Sequence, residues 1–211
     1  ALVNDDSSLN VEISSNTIDS SSTGIGIYSG DSSATFSIQN NDFQNFADGN
    51  KYVDDIASVL TLSDVLNNQQ NTFASDTILG SNQLRPSPIT DISISNPNNK
   101  QIDVSVTTTA DLDVSSSDQL VVSFSSPITD SGGTNDALET GQGDFTEQQN
   151  SDGTFTYTAS VDADVSPGST KTYQGTVTKV NGISNSNDQI ASNSIDVSVA
   201  SIGTDGSTTI D

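Results

Sequence analysis

Apolar and polar residues alternate along most of this chain, and in its first third the alternation repeats. Val11, Ile13, Asn16 and Ile18 recur as Phe36, Ile38, Asn41 and Phe43, each 25 residues later. Four coincident positions at one offset define a repeated structural unit. Its period of two is that of a strand, and a strand-only repeat of roughly 20–30 residues points to a β-solenoid whose coils stack on one another. The short phrase Asn16-Thr17-Ile18 returns as Asn41-Asp42-Phe43 and as Asn71-Thr72-Phe73, the last after 30 residues instead of 25. Residues 1–86 therefore read as a solenoid of about three coils. The added length falls in 48–64, where the pattern predicts a loop or short helix bulging from the coil. Ile38 and Phe43 are expected to point inward and stack on Ile13 and Ile18.

The recurring Asn has a physical reason. Asn tolerates left-handed backbone at a corner, and stacked Asn side chains bond to one another as a ladder. After Arg85-Pro86-Ser87-Pro88, which predicts an extended, semi-rigid link, coil spacing gives way to hairpin spacing. Strands are expected at 89–95, 101–107, 119–125, 144–147, 154–161, 171–180 and 194–200, with a long loop over 126–143. Short alternating strands between Gly, Pro, Asn and Asp clusters predict an antiparallel β-sandwich over 87–202, followed by a tail, 203–211. The fold class expected is thus all-β.

Two resemblances sharpen that expectation. The Asn-x-Ile/Phe phrases, with Gly24-Ile25-Gly26-Ile27-Tyr28 as a second strand element, resemble the right-handed parallel β-helix repeats of the pectate-lyase-like and NosD-like families over residues 9–86. That likeness implies a right-handed solenoid and little about activity. The stretches Leu120-Val121-Val122-Ser123-Phe124, Asp144-Phe145-Thr146-Glu147, Gly153–Ala159 and Tyr173–Val177 resemble the Ig-like modules of haloarchaeal cell-surface proteins over residues 89–200. Together they imply a short right-handed solenoid followed by an Ig-like sandwich, in a cell-surface setting.

Charge narrows the chemistry. Lys51, Arg85, Lys100, Lys171 and Lys179 face 28 acids, for a net charge of −23. Eleven acids and two bases lie in 1–86, seventeen and three in 87–211, so the whole surface is acidic. Such self-repulsion opposes compaction at ordinary ionic strength, whereas in molar salt the Debye length shrinks to about 3 Å. A halophilic organism is the expectation, an archaeon by the second resemblance. The surface also disfavours nucleic acid and anionic membrane, and no apolar run is long enough to span a bilayer. Ile, Val, Leu and Phe make up about a quarter of the chain, above the roughly 20% that marks disordered sequences. None of the 20 Asn begins an Asn-x-Ser/Thr sequon, so N-glycosylation by that signal is not expected.

With no His and no Cys, Ser-His-Asp, Cys-His and His-based metal sites cannot form, nor can disulfides. The local catalytic candidate is Asp54-Asp55 beside Lys51 and Tyr52, whose bland reading is a solvated acidic loop. Calcium is the candidate cation. Asp111 with Asp113, and Asp162 with Asp164, each place two carboxylates on one side of an extended segment, and hard cations take several oxygen ligands. In a chain with 25 Asp such pairs also arise by chance. Asp130 to Asp136 reads as a Gly-containing acidic loop.

The expected role is structural rather than enzymatic: a subunit of an extracellular filament or surface layer, self-assembling or joining other surface proteins. The alternatives are a fragment of a large adhesin or a viral spike or fibre, and, third, a carbohydrate-binding β-helix, lytic or not. The chain starts at Ala1, so an excised fragment or a removed leader is expected. Residues 1–10 and 201–211 carry scattered apolar side chains without an evident partner, and at least one of them is expected to lie against a neighbouring subunit.

Overall fold

A computed structural model describes residues 10–19, 22–28, 35–47, 49–98, 100–130, 133–187 and 189–200. Among these residues strand makes up 57% and helix 3%, so the all-β class holds. The expectations for residues 1–9 and 201–211 lie outside the described residues.

In the first part the chain makes successive passes that pair in parallel. The first pass holds β1 (Asn10–Ser14), β2 (Thr17–Asp19) and β3 (Thr23–Ile27), and the second holds β4 (Thr35–Gln39), β5 (Asp42–Gln44) and β6 (Lys51–Asp55). The third runs through helix α1 (Leu62–Asn67) and β7 (Thr72–Phe73), and β8 (Thr77–Leu79) and β9 (Gln83–Pro86) follow. Val11 lies opposite Phe36, Ile13 opposite Ile38 and Ile18 opposite Phe43, which is the 25-residue register. Phe43 pairs in turn with Phe73 at the 30-residue offset.

The stacked register builds the core column. Ile38 and Phe43 are 1% and 0% exposed. The Phe43 and Phe73 rings stack at 5.0 Å and 8°, and Tyr52 meets both rings at an angle. Gly24 is where this core tolerates no side chain: a Cβ there would lie 2.8 Å from the Tyr52 carbonyl oxygen and 2.9 Å from the Phe46 ring.

Two expectations for this part are corrected. Residues 51–55 are not a bulging loop. They form β6, parallel to β3, with Ile25 opposite Val53 and Ile27 opposite Asp55. The bulge is confined to the following turn and α1, which buries Leu62, Val65 and Leu66 against the same core. The left-handed corner is also not the ladder Asn. It is the residue before it, Ser15, Asn40 and Gln70, each with φ between 54° and 59°. That turn aims the following Asn inward.

The second part is a curled antiparallel sheet. Its strands are β10 (Ile89–Ser95), β11 (Gln101–Thr108), β12 (Leu120–Asp130), β13 (Gly133–Glu139), β14 (Thr146–Gln149), β15 (Phe155–Ala163), β16 (Thr170–Val180), β17 (Ile183–Ser184) and β18 (Ala191–Ser198). The main path runs β10-β11-β15-β12-β16-β17, with β13 on β12, β14 on β15 and β18 on β16.

The expected loop over 126–143 is instead the end of β12 and its hairpin partner β13. Pro127 ends no strand here because it sits where the β12 register shifts, between Ser123 and Ile128; proline is tolerated at such a bulge. Its carbonyl accepts bonds from the Tyr173 hydroxyl and the Asp164 amide. Beyond the shift, β12 pairs with β15 instead of β16, which is how the sheet curls. Asn193 draws β10 to β18. Its Oδ1 accepts from the Ile94 amide at 3.0 Å, and its Nδ2 donates to the Ile94 carbonyl at 2.9 Å.

Buried apolar residues fall into two clusters that meet at β8, where Ile78 joins one and Leu79 the other. The free edge of β8 is completed by the loop after β17. Asn185 Oδ1 accepts from the Leu79 amide at 2.9 Å, the Ser186 amide donates to the Leu79 carbonyl, and Asn187 Nδ2 donates to the Thr77 carbonyl at 2.6 Å. The segment of residues 85–88, expected as an extended link, instead ends β9 at Pro86 and bends at Pro88; residues 86–88 are buried, with the Ser87 amide bonded to the Asp76 carbonyl.

Truncating Phe43 to Ala removes the centre of this aromatic stack and leaves a cavity. It is expected to cost about 3–5 kcal/mol, measured by denaturant unfolding in molar KCl. A loss below about 1 kcal/mol would contradict the stacked register.

Candidate functional site

The described residues assemble one feature with an evident capacity to bind: the ladder of Asn16, Asn41 and Asn71 and the face on which it ends. Each rung works alike. Asn41 Oδ1 accepts from the Asn16 backbone amide at 3.1 Å, and Asn71 Oδ1 accepts from the Asn41 amide at 2.9 Å. Asn41 Nδ2 donates back to the carbonyls of Ile13 and Gln39, and Asn71 Nδ2 to that of Ile38. The side-chain amides also bond to one another, at 3.1 and 3.2 Å. Asn41 is 1% exposed, so it supplies partners to backbone groups that have no water to turn to.

Polar side chains on the outside follow the same stacking. Asn10 accepts from Thr35, Glu12 accepts from Gln39 at 2.6 Å, Asp19 accepts from Asn45 at 2.9 Å and Asp42 accepts from Thr72 at 2.7 Å. Each pairs an amide or hydroxyl donor with an acceptor on the neighbouring pass.

Asp54 and Asp55, the catalytic candidate, are buried at 4% and 1% exposure rather than solvated. Asp55 accepts the amides of Val59 and Leu60 and so shapes the turn after β6. Asp54 pairs with Lys51 at 2.6 Å. Arg85 lies close by: burial pushes its guanidinium below the usual value, and the charge of Asp54 opposes that shift. Both bases of the first 86 residues therefore converge on one buried carboxylate. A half-buried cation near a buried anion is best kept in place, since removing one partner strands the other. Tyr52, the fourth residue of that group, is 0% exposed in the aromatic stack, with its hydroxyl 2.9 Å from Ser75 Oγ.

The calcium candidates are all exposed and do not come together. Asp113 is engaged locally: Oδ1 accepts from the amide and hydroxyl of Ser115, and Oδ2 from the Ser116 hydroxyl. Those bonds hold its carboxyl below the usual range, the Ser115 hydroxyl contributing most. Asp111 and Asp113 flank Leu112, whose amide bonds to the Tyr157 hydroxyl on β15. Asp162 lies five residues further along β15, about 16 Å at strand rise, and Asp164 follows it opposite Lys171 at 3.5 Å. Among the described residues no cluster of three or more Asp, Glu, His or Cys is arranged to hold a metal ion.

The remaining notable acid is Asp144, which the sequence placed at the start of an expected strand, 144–147; the strand begins only at Thr146. Its Oδ2 accepts the Glu139 amide at 3.1 Å. Desolvation raises its carboxyl above the usual range, and the neighbouring charges of Asp130 and Glu139 add to the rise.

Comparison with protein-family models and with curated proteins finds no match to this chain.

The ladder predicts a contrast between two chemically identical substitutions. Asn41→Ala orphans the Asn16 amide and the Ile13 carbonyl and is expected to cost about 2 kcal/mol. Asn16→Ala, at an exposed rung, is expected to change unfolding free energy by less than about 0.5 kcal/mol. Asp144 predicts a pH effect. Because its folded-state pKa is raised, the charged form is the disfavoured one, and its stabilising effect is lost as pH rises through that value. Asp144→Asn is expected to raise the melting temperature at pH 7 and to lose that advantage below the ordinary carboxylate range, checked by melting curves from pH 3 to 8.

Proposed function

We propose that this chain is a structural subunit of an extracellular filament or surface layer of a halophilic, archaeal cell. In this reading the first part is a short right-handed parallel β-solenoid and the second an Ig-like β-sandwich, two modules joined at β8. The subunit is non-catalytic and assembles through the open edge of its passes and through its termini.

The observation that carries the proposal is the unfinished first pass. Among the described residues, β1 and β2 each pair with a strand of the second pass and with no other strand. An unpaired strand edge is a template for another chain. Asp54 and Asp55 support the non-catalytic reading, because both are committed inside the fold. The net charge of −23 supports the halophilic one.

Screening is the direct test. Thermal stability followed by circular dichroism is expected to rise steadily from dilute buffer to molar KCl as repulsion is screened. Equal stability in both would remove the halophilic reading. Negative-stain images in brine are expected to show ordered filaments or sheets, and dispersed single particles at all concentrations would remove the assembly reading.

A further inference from the structure

We infer that the corner just past the ends of β3 and β6 is a contact site for a second copy of this chain, which meets it with an acidic face. Tyr28 and Ile56 are the apolar anchors of the corner, and Lys51 and Arg85 supply its charge. The inference rests on the assembly reading and names one contact that joins copies.

Exposure singles the corner out. Tyr28 and Ile56, 46% and 53% exposed, are the exposed large hydrophobics among the described residues, and the register makes them neighbours. Ile27 lies opposite Asp55, so Tyr28 and Ile56 follow side by side on parallel strands, and the Ala57 amide bonds to the Ile27 carbonyl at 3.2 Å. Apolar side chains scattered singly are ordinary on a surface, whereas gathered ones mark a contact. Ile25, Ile27, Tyr52 and Val53, the other large apolar residues of these strands, are buried.

The Tyr28 ring is fixed before any partner arrives. Strand β3 alternates, with Ile25 and Ile27 in the core and Gly26 on the outer face. The ring folds back over Gly26, where a Cβ would lie 2.5 Å from Cε2 and 3.0 Å from Cζ. Glycine at 26 therefore gives the ring its seat. Shielding of that backbone explains where the ring lies, but not why Ile56 stands exposed beside it. A partner that covers a ring already seated costs little further rotamer freedom, and Tyr and Arg are the residues enriched at such anchors.

Charge decides what the corner receives. Gly26 lies opposite Asp54, and Asp54 opposite Gln83, so one row across β3, β6 and β9 brings the seat of the ring, a carboxylate and an amide to the same face. Lys51 closes on Asp54 at 2.6 Å, and Arg85 Nε donates to Gln83 Oε1 at 3.0 Å. Two of the five bases thus stand along this row, while the acids of β6, Asp54 and Asp55, are buried. Elsewhere in the chain three bases face all the remaining acids. A second copy, itself at −23, is repelled by most of its neighbour's surface, but at this corner the acids are inside and the bases outside. Two such corners set face to face would bring bases against bases, so the corner takes an acidic face instead. A contact of that kind is heterologous and repeats from copy to copy.

The probe is the full chain with photoreactive benzoylphenylalanine placed at position 28, irradiated in molar KCl. It is expected to give a covalent dimer, with the adduct located by mass spectrometry of isotope-mixed chains on an acidic face of the second copy. The same group placed at Ser151, exposed on the second part, is the control and is expected to give no dimer. Tyr28→Ser and Ile56→Ser, with unchanged melting temperatures, are each expected to weaken self-association about tenfold in sedimentation equilibrium. Should Tyr28→Ser disturb the fold through Gly26, Ile56→Ser and the adduct carry the test. Self-association indifferent to Ile56→Ser would overturn the inference. So would an adduct within one chain, which assigns the corner to the chain itself, or an adduct on the same corner of the second copy, which makes the contact two-fold. Filaments in brine that form equally well from both variants would overturn this contact and leave the assembly reading standing. Corner-dependent dimers that remain dispersed particles in brine would instead leave this inference standing and remove the filament reading.

Discussion

Everything in the first part depends on keeping each pass in register with the next, and the buried Asn column is what fixes it. Parallel strands two to five residues long contribute little pairing of their own, and apolar contacts alone do not forbid a slip. A slip of one residue would turn the apolar set outward. It would also separate Asn41 from the Asn16 amide and the Ile13 carbonyl, leaving polar groups buried without partners. The ladder therefore penalises misregister far more than it rewards register. Phe43, Phe73 and Tyr52 can stack only because that column holds their strands at one height.

The same device closes the rest of the molecule. Asn193 offers both halves of its amide to the backbone of Ile94, as a strand residue would. Asn185 and Asn187 do the like for Leu79 and Thr77 on β8, each at 6% exposure. A side-chain amide carries a donor and an acceptor on one plane, so it can replace a missing strand neighbour at an edge. Several of the Asn thus serve edges and corners. It also explains why β8 can belong to two clusters: its second edge is paired by side chains, which need no regular strand beside it.

How much of this was legible in the sequence varied with the kind of signal. The 25-residue register was legible because four positions moved together, and β10 was legible at both ends because its alternation is bounded by Pro88 and Pro97. Strand β6 was hidden because Asp54-Asp55 reads as solvated loop; only the fold supplies Lys51, Arg85 and the turn amides that let those acids be buried. The β12–β13 hairpin was hidden by Pro127, which marks a break unless a register shift happens to sit there. The left-handed residue was assigned to the repeating Asn, since composition cannot tell which of two adjacent polar residues turns and which reaches inward. The two candidate aspartate pairs looked alike in sequence; in the fold one flanks Leu112, bonded to Tyr157 in the first part of β15, and the other lies at the far end of that strand.

Charge and amides bear on each other. Among the described residues three of the five bases form ion pairs, and two of these pairs, Lys171 with Asp164 and Lys179 with Asp118, are substantially exposed. Exposed pairs are worth little at ordinary ionic strength and less in concentrated salt. Neutral amide hydrogen bonds in a dry core are not screened in that way. A chain that fixes its register and edges with Asn, and buries a carboxylate beside two cations at Asp54, places few of its described structural contacts where salt can weaken them. On the proposed halophilic reading, salt then acts mainly on the repulsion among the remaining acids. On that reading the stacked amides and the acidic surface are complementary: amide bonds are little screened by salt, and the repulsion among the acids is what screening would relieve.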